Sequence, residues 1–211
     1  MNTFVEMPVG DFVDAAASGE PVPGGGGIAA LAGALGASMA SMAANFTVGK
    51  PKFAEHDQLM RETLAALSPL IRALKSAVDE DALAFSAISA AYKLPRNDDI
   101  EKATRKQAVD DALLASMNVP LAVAGNARDA AELLPALAET GNPNLLSDVE
   151  VAAIMLEAAV RAARVNVLVN SSGLRTDAAR AAEIRTEQAV NRVVELAKTT
   201  RAVILKRRSA P

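Results

Sequence analysis

Three consecutive acidic residues beside an apolar segment are the first candidates for acid–base chemistry in this chain. Asp79, Glu80 and Asp81 precede a stretch that includes Ala84 and Phe85. Because consecutive residues point to different sides of a helix, one or two of these acids must face solvent. Asp81 is the strongest candidate, since its apolar flank would raise the pKa of the carboxyl group and suit it to proton transfer.

A second carboxylate, Asp148, lies in a polar region much further along the chain. It follows Asn142 and Asn144, which belong to the turn sequence Gly-Asn-Pro-Asn. Asparagines are ordinary turn residues, and an acid in the first turn of a helix complements the helix dipole. The functional interpretation makes Asp148 the second candidate for the acid or base, and the asparagines candidates for orienting a substrate or water.

Two other asparagines, Asn166 and Asn170, are one helical turn apart within an apolar run. Asparagine is unfavourable inside a helix because its side chain competes for backbone hydrogen bonds. A buried amide also needs hydrogen-bonding partners. This pair therefore predicts a polar pocket rather than a uniformly apolar core.

A proline and four glycines form the most unusual run in the sequence: Pro23, Gly24, Gly25, Gly26 and Gly27. Glycine allows close backbone approach but costs conformational entropy on folding, so such a run needs a reason. The uncharged stretch 28–47 that follows predicts a helix, whose N-terminal N–H groups offer a seat for an anion or an electron-rich ring. The alternative is a flexible turn before a helix, and the run alone leaves both open.

Two cations, Lys50 and Lys52, follow the predicted end of this helix. Cations at that position complement the negative end of the helix dipole. As point charges they could also hold the carboxylates of a ligand.

The elements that must position these residues are predicted to be helices from end to end. Hydrophobic periodicity and helix-ending residues predict helices at 9–18, 28–47, 54–92, 98–117, 121–140, 147–169 and 177–206. Ser147 and Glu150 match a capping box for the sixth of these. With no competing strand pattern, repeat or linker, the sequence predicts one all-α domain over residues 1–211, an up-and-down helical bundle around a central Gly/Ala-rich helix.

Composition narrows the possible functions further. Hydrophobic residues make up 51% of the chain and aromatic residues 3%, which favours close helix packing over sheets. The net charge of −3 argues against nucleic-acid binding, and the poor insertion energy of Ala, Gly and Ser argues against a membrane span. Cysteine is absent and His56 is the only histidine, so we expect no metal site. The lack of cysteine also fits a cytoplasmic protein.

Taken in order, these segments resemble one known family. Its signatures are matched by the run 23–27 with the Ala/Gly-rich 30–37, by Glu80-Asp81-Ala82, by Gly141 to Asn144, and by Asn166 to Asn170. Together they cover about residues 11–174 and resemble the cyclodeaminase/cyclohydrolase family of folate one-carbon enzymes. The resemblance implies an all-helical homodimer that binds a tetrahydrofolate derivative as its substrate, with no additional cofactor.

Under this resemblance the pterin would lie against the glycine run, and Lys50 and Lys52 would hold the carboxylates of the glutamate tail, whether mono- or polyglutamylated. Asn142, Asn144, Asn166 and Asn170 would orient the pterin edge or the water, with Asp81 or Asp148 moving protons. We expect all these elements to share one cavity, either within the chain or across a subunit contact.

Two reactions fit such a site. A methenyltetrahydrofolate cyclohydrolase adds water to the methenyl carbon, whereas a formiminotetrahydrofolate cyclodeaminase closes the ring and releases ammonia. Both pass through a tetrahedral carbon and need an acid and a base. Since no transferase domain that would deliver a formimino group is present in the sequence, the cyclohydrolase is favoured. The rival from another class is a non-enzymatic helical dimer scaffold, which would leave Asn166 and Asn170 unexplained.

Overall fold

Eight α-helices and three short 3-10 helices make up most of residues 3–209, which are the residues that the computed structural model describes. The α-helices are α1 (Val9–Ala17), α2 (Gly25–Asn45), α3 (Asp57–Tyr92), α4 (Asp99–Ser116), α5 (Asn118–Glu132), α6 (Leu134–Thr140), α7 (Leu146–Ser171) and α8 (Asp177–Arg208). The 3-10 helices are Phe4–Glu6, Pro51–His56 and Pro143–Leu145. No strand occurs in this part of the chain, which confirms the predicted all-α bundle.

The central helix α2 packs mainly between α3 and α7. Its glycines allow this close approach: a Cβ at Gly36 would lie 3.0 Å from Cγ and 3.1 Å from the backbone nitrogen of Leu156. A Cβ at Gly33 would meet Leu74 at 3.0 Å and Ala159 at 3.4 Å. Since Gly25 lies beside Asn166 at one end, α2 and α7 run antiparallel.

The core around α2 is aliphatic, as the composition predicts. The largest side chains without solvent exposure include Met60, Leu67, Leu74, Leu156 and Ile204. Full burial of each such side chain stabilises the fold by about 1.5–3 kcal/mol. Alanines of α2, α5 and α7 fill the spaces between them, which keeps the helix axes close together.

Three local predictions were wrong. The glycine run is not a loop before the central helix, because Gly25, Gly26 and Gly27 form the first turn of α2. The predicted helix 121–140 is two helices, and Pro120 lies in the first turn of α5, where its missing N–H costs nothing. The capping box at Ser147 does not form, because the 3-10 helix Pro143–Leu145 runs directly into α7.

By length and composition, α2 and the stretch Asp99–Thr140 are apolar enough to cross a membrane. The second stretch is divided into three helices, α4 to α6. In α2, 56% of the most apolar window is buried against the rest of the protein. This degree of burial is typical of a core helix, which is what the sequence predicts for the segment.

We expect Gly36→Leu to destabilise the protein by about 1–3 kcal/mol, because the new side chain overpacks the contact between α2 and α7. Gly125→Leu in α5 is the matched control, since a Cβ there meets nothing within 4 Å. Thermal unfolding followed by circular dichroism should give a lower Tm for Gly36→Leu than for Gly125→Leu. Equal Tm values would show that the two helices can move apart without cost.

Candidate active site

A cavity of about 560 Å³ lies where the first turn of α2 meets the C-terminal halves of α3 and α7. Its wall includes Gly24, Gly25 and Gly26 from the glycine run. Asp81 enters from α3, and Asn166 and Asn170 enter from α7. The structure therefore brings the first carboxylate candidate, the glycine run and one asparagine pair into a single pocket, which we name the glycine cavity.

Asp81 is held against the start of α2 by contacts that only glycine permits. The N–H of Gly27 donates a hydrogen bond to Oδ2 of Asp81 over 2.9 Å. A Cβ at Gly26 would lie 2.0 Å from Oδ1 of the same carboxylate. Because Gly24, the N-cap residue, has no side chain to cap the helix, Asp81 supplies the acceptor from another helix.

Burial raises the pKa of Asp81 above its ordinary value, and the hydrogen bond from Gly27 opposes part of that rise. The other two acids of the cluster have different surroundings. Asp79 accepts a hydrogen bond from the N–H of Phe4 over 2.6 Å, and Glu80 is exposed. Of the three consecutive acids, Asp81 is therefore the one whose carboxyl lies at the cavity wall in a desolvating environment.

The amide pair of α7 faces the same space. Nδ2 of Asn166 donates a hydrogen bond to the carbonyl oxygen of Ala162 over 2.9 Å. The amide lies beside the first turn of α2, with Oδ1 3.7 Å and Nδ2 3.8 Å from the position of a Cβ at Gly25. Asn170, one turn further along, is half-buried at the wall. The pair offers acceptors and donors to a ligand at the N-terminus of α2.

An apolar surface on α3 completes the cavity; of its three residues the sequence analysis named Phe85 but missed Ile88 and Tyr92. Phe85, Ile88 and Tyr92 line it at positions 4, 7 and 11 residues after Asp81. This spacing places them on the same helix face as the carboxylate. Arg105 fixes Tyr92, since its guanidinium lies 5.3 Å from the ring centre and its Nε donates to the Tyr92 carbonyl oxygen over 3.1 Å. The spacing from Asp81 was the signal that could have identified these residues.

Pro23 and Gly27 lie behind the wall rather than on it. Both are buried, and Gly27 acts through the N–H that binds Asp81. Among residues 3–209, acidic and histidine side chains do not gather in groups of three that could hold a metal ion. The polar side chains that line the glycine cavity are one carboxylate, two amides and the hydroxyl residues Ser116, Ser172 and Tyr92.

Four of the remaining candidates line a second cavity of about 360 Å³ at the other end of α2. Lys50, Lys52, Asn142 and Asn144 line it together with Phe46 and Phe53. Since α2 has 21 residues, about 30 Å separates the two cavities. Within one chain the predicted site residues therefore do not share a pocket, and we name this second group the cationic cavity.

Hydrogen bonds to the residues that follow α2 hold Asn142 at the cationic cavity. The N–H of Asn142 donates to Oγ1 of Thr47 over 3.0 Å, and its Nδ2 donates to the carbonyl oxygen of Phe46 over 3.4 Å. Asp148 also lies at this end, half-buried in the first turn of α7, but it lines neither cavity. As the second candidate for the acid or base, it stands far from Asp81 in the same chain.

The contact between Gly26 and Asp81 predicts a specific coupling. Gly26→Ala should lower stability by about 1–2 kcal/mol, because the methyl group displaces the carboxylate that caps α2. In an Asp81→Ala background the same substitution should cost far less. A double-mutant cycle from urea denaturation measures this difference, and additive effects of the two changes would contradict the contact.

Comparison with known proteins identifies the family model and the sequence relatives that this chain matches. A family model described as formiminotransferase-cyclodeaminase matches residues 8–190. The methenyltetrahydrofolate cyclohydrolase of Methylorubrum extorquens is 42% identical over 163 residues, which are 77% of this chain and 78% of that protein. The formimidoyltransferase-cyclodeaminase of Gallus gallus is 36% identical over 202 residues, which are 96% of this chain but 37% of the chicken protein.

The fold has a counterpart among solved structures. A crystal structure of formiminotetrahydrofolate cyclodeaminase from Thermotoga maritima superposes with a TM-score of 0.84 at 27% sequence identity. The match covers 95% of this chain and 97% of that one. On the family model, the sequence relatives and the shared fold, this chain belongs to the formiminotransferase-cyclodeaminase family.

Proposed function

We propose that this protein is a folate one-carbon enzyme that hydrolyses 5,10-methenyltetrahydrofolate to 10-formyltetrahydrofolate in the glycine cavity. The observation that carries the proposal is a desolvated carboxylate, Asp81, held against the open N-terminus of α2 at the wall of that cavity. The resemblance to the Methylorubrum extorquens cyclohydrolase supports this choice of reaction.

The cavity suits a reduced pterin in size and lining. Its volume of about 560 Å³ lies within the range of ordinary ligand pockets. Phe85, Ile88 and Tyr92 supply an apolar surface for the ring system, and Asn166 and Asn170 supply hydrogen-bonding groups for its polar edge. Side chains at Gly25 and Gly26 would narrow the space, so the glycines let the ring approach the backbone.

The chemistry requires one proton to be removed and another to be delivered. The Asp81 carboxylate takes a proton from water as the oxygen adds to the cationic methenyl carbon. The bond from that carbon to N5 then breaks as N5 takes the proton held by Asp81. The hydroxyl group loses its remaining proton to solvent as the formyl C=O forms on N10, so one proton is released overall. The N–H groups of Gly25 and Gly26, in the first turn of α2, have no acceptor within the helix and can stabilise the oxygen of the tetrahedral intermediate.

The second candidate reaction is the cyclodeamination of formiminotetrahydrofolate. It is favoured by the fold shared with the Thermotoga maritima cyclodeaminase and by the chicken relative. In this reaction N10 attacks the formimino carbon, and ammonia leaves from the tetrahedral intermediate. The same carboxylate would accept the proton of N10 and deliver a proton to the departing nitrogen.

We also propose that the enzyme is a homodimer and that Lys50 and Lys52 bind the carboxylates of the folate's glutamate tail, including polyglutamylated forms. The support is an exposed apolar face along α2 and α7. Ile28 and Leu35 of α2 and the C-cap residue Phe46 are 42%, 49% and 53% exposed, and Val165 and Val169 of α7 are 57% and 65% exposed. An apolar surface of this extent indicates an interaction site.

We expect Asp81→Asn to abolish turnover while the protein stays folded, because asparagine can still accept the Gly27 hydrogen bond but cannot take a proton. Burial raises the pKa of the Asp81 carboxyl, so the native state binds its proton at a higher pH than the unfolded chain. Ionisation at neutral pH therefore costs folding free energy. Asp81→Asn should be at least as thermally stable as the wild type at neutral pH.

The pH profile of kcat/KM gives the second measurement on Asp81. Activity should fall as the pH drops through the raised pKa of the carboxyl, with a midpoint above the ordinary aspartate value of 3.8. Glu80→Gln, which removes the exposed neighbouring acid, is the control and should keep the wild-type rate and profile. Wild-type turnover in Asp81→Asn would remove Asp81 from the chemistry.

Two assays distinguish the candidate reactions in the same preparation. Loss of the methenyl chromophore reports hydrolysis of 5,10-methenyltetrahydrofolate, and ammonia release reports cyclodeamination of formiminotetrahydrofolate. We expect the first activity to exceed the second at equal substrate concentration. Ammonia release alone would assign the cyclodeaminase, and neither activity, with no thermal shift by the two folates, would favour a non-enzymatic scaffold.

A further inference from the structure

The glycine cavity and the cationic cavity have complementary contents. The described wall of the glycine cavity holds a carboxylate and two amides but no lysine or arginine. The described lining of the cationic cavity holds two lysines and two asparagines but no acid. A folate carries its reacting carbon at one end and its carboxylates at the other, so under the proposed function each cavity offers what one half of the ligand needs.

Both cavities open onto the same exposed apolar face. Val169, 65% exposed, lines the glycine cavity, and Phe46, 53% exposed, lines the cationic cavity. Between these ends, the outward residues of α2 recur at alternating steps of four and three residues, the spacing of a helix that packs along another helix. They are Ile28, Ala32, Leu35, Met39, Met42 and Phe46.

A second copy of this chain is the partner that fits such a face. Symmetric pairing requires a self-complementary surface. Charge repulsion does not oppose such pairing along α2, since this helix carries no charge from Gly25 to Asn45. Near its middle, the ion pair between Arg161 and Glu157 offers one charge of each sign, so that each copy can present the opposite charge to the other.

Two symmetric pairings of this face are possible, and charge distinguishes them. In one, like ends meet, so that Asp81 approaches its equivalent and the lysine pairs face each other. In the other, α2 lies antiparallel on the α2 of the partner subunit, and each glycine cavity meets a cationic cavity. Because opposed like charges are unfavourable and opposite ones attract, the antiparallel pairing is the stable one.

The antiparallel pairing also predicts which ends come together. If the two-fold axis passes through the centre of the apolar face, midway between Ile28 and Phe46, positions equally far from that centre face each other. The glycine end of α2 then lies opposite the end of the partner subunit's α2 that precedes its lysine pair, and Asn166 and Asn170 lie opposite the start of the partner subunit's α7.

We propose that the folate site is shared between two copies of this chain. The glycine cavity of one copy holds the pterin, and the partner subunit's Lys50 and Lys52 hold the carboxylates of the tail. This inference rests on the proposed function and adds that neither chain alone contains a complete site.

The test is complementation in a defined heterodimer. One chain carries Asp81→Asn and the other carries Lys50→Ala with Lys52→Ala; the two are co-expressed with different affinity tags and purified on both. Each variant homodimer should be impaired, the first without turnover and the second with kcat/KM lower by about tenfold or more on a folate with a glutamate tail. In the heterodimer one of the two sites regains both elements, so about half of the wild-type activity should return.

The control heterodimer pairs Asp81→Asn with Lys75→Ala/Lys198→Ala, which removes the same charge from exposed positions outside both cavities. The control homodimer should keep full activity, and the control heterodimer should keep about half of it, because one site is intact. This comparison shows that recovery in the test pair depends on the lysines of the opposite chain.

Three results would overturn the shared site. They are failure to recover any heterodimer, wild-type kcat/KM in the Lys50→Ala/Lys52→Ala homodimer, and a test heterodimer no more active than the mean of its two homodimers. With an active wild type, the proposed reaction in the glycine cavity still stands after any of these results. The first result would also contradict the proposed homodimer, and the second would contradict the proposed binding of the tail by Lys50 and Lys52. Wild-type protein that turns over neither folate would refute the proposed function and the shared site with it.

Discussion

The contact between the carboxylate of Asp81 and the first turn of α2 is the constraint on which the rest of the site depends. A helix that begins with glycines has no side chain to accept its first N–H groups. Asp81 supplies an acceptor from α3 through the Gly27 N–H, and it fits because Gly26 has no Cβ. One interaction thus joins the two helices, fixes the direction of the carboxylate and leaves the neighbouring N–H groups open to a ligand.

The same contact shows how a structural role and the proposed catalytic role can coexist in Asp81. Burial raises the pKa of Asp81, so keeping it ionised costs stability, and the Gly27 hydrogen bond returns only part of that cost. A purely structural cap would be served as well by a neutral acceptor such as asparagine. The retention of an ionisable group at a desolvated position is typical of sites that move protons.

Particular residues show which parts of the site could be predicted from the sequence and which could not. Asp81 was identifiable, because an acid with an apolar flank predicts desolvation, and Asn166 with Asn170 predicted a polar pocket. Lys50 and Asn142 were wrongly expected to share the cavity of Asp81, since the sequence does not show which end of α2 the Asp81 segment and the Asn142 turn pack against. Ser147 was wrongly predicted as a cap, because the 3-10 helix before α7 depends on Asn142, which accepts a hydrogen bond from the Asn144 N–H.

The composition of α2 connects these features. Its inner side is glycine and alanine, which brings α3 and α7 close enough for Asp81 and Asn166 to reach the first turn of the helix. Its outer side is apolar and uncharged, and in a single chain this side is exposed to solvent. A helix with small residues inside and larger apolar residues outside suits an element packed on both sides. Within one chain, the length of α2 separates the glycine cavity from the cationic cavity. If a second copy packs antiparallel on the outer side of α2, the same length brings the glycine cavity of each chain next to the cationic cavity of the other.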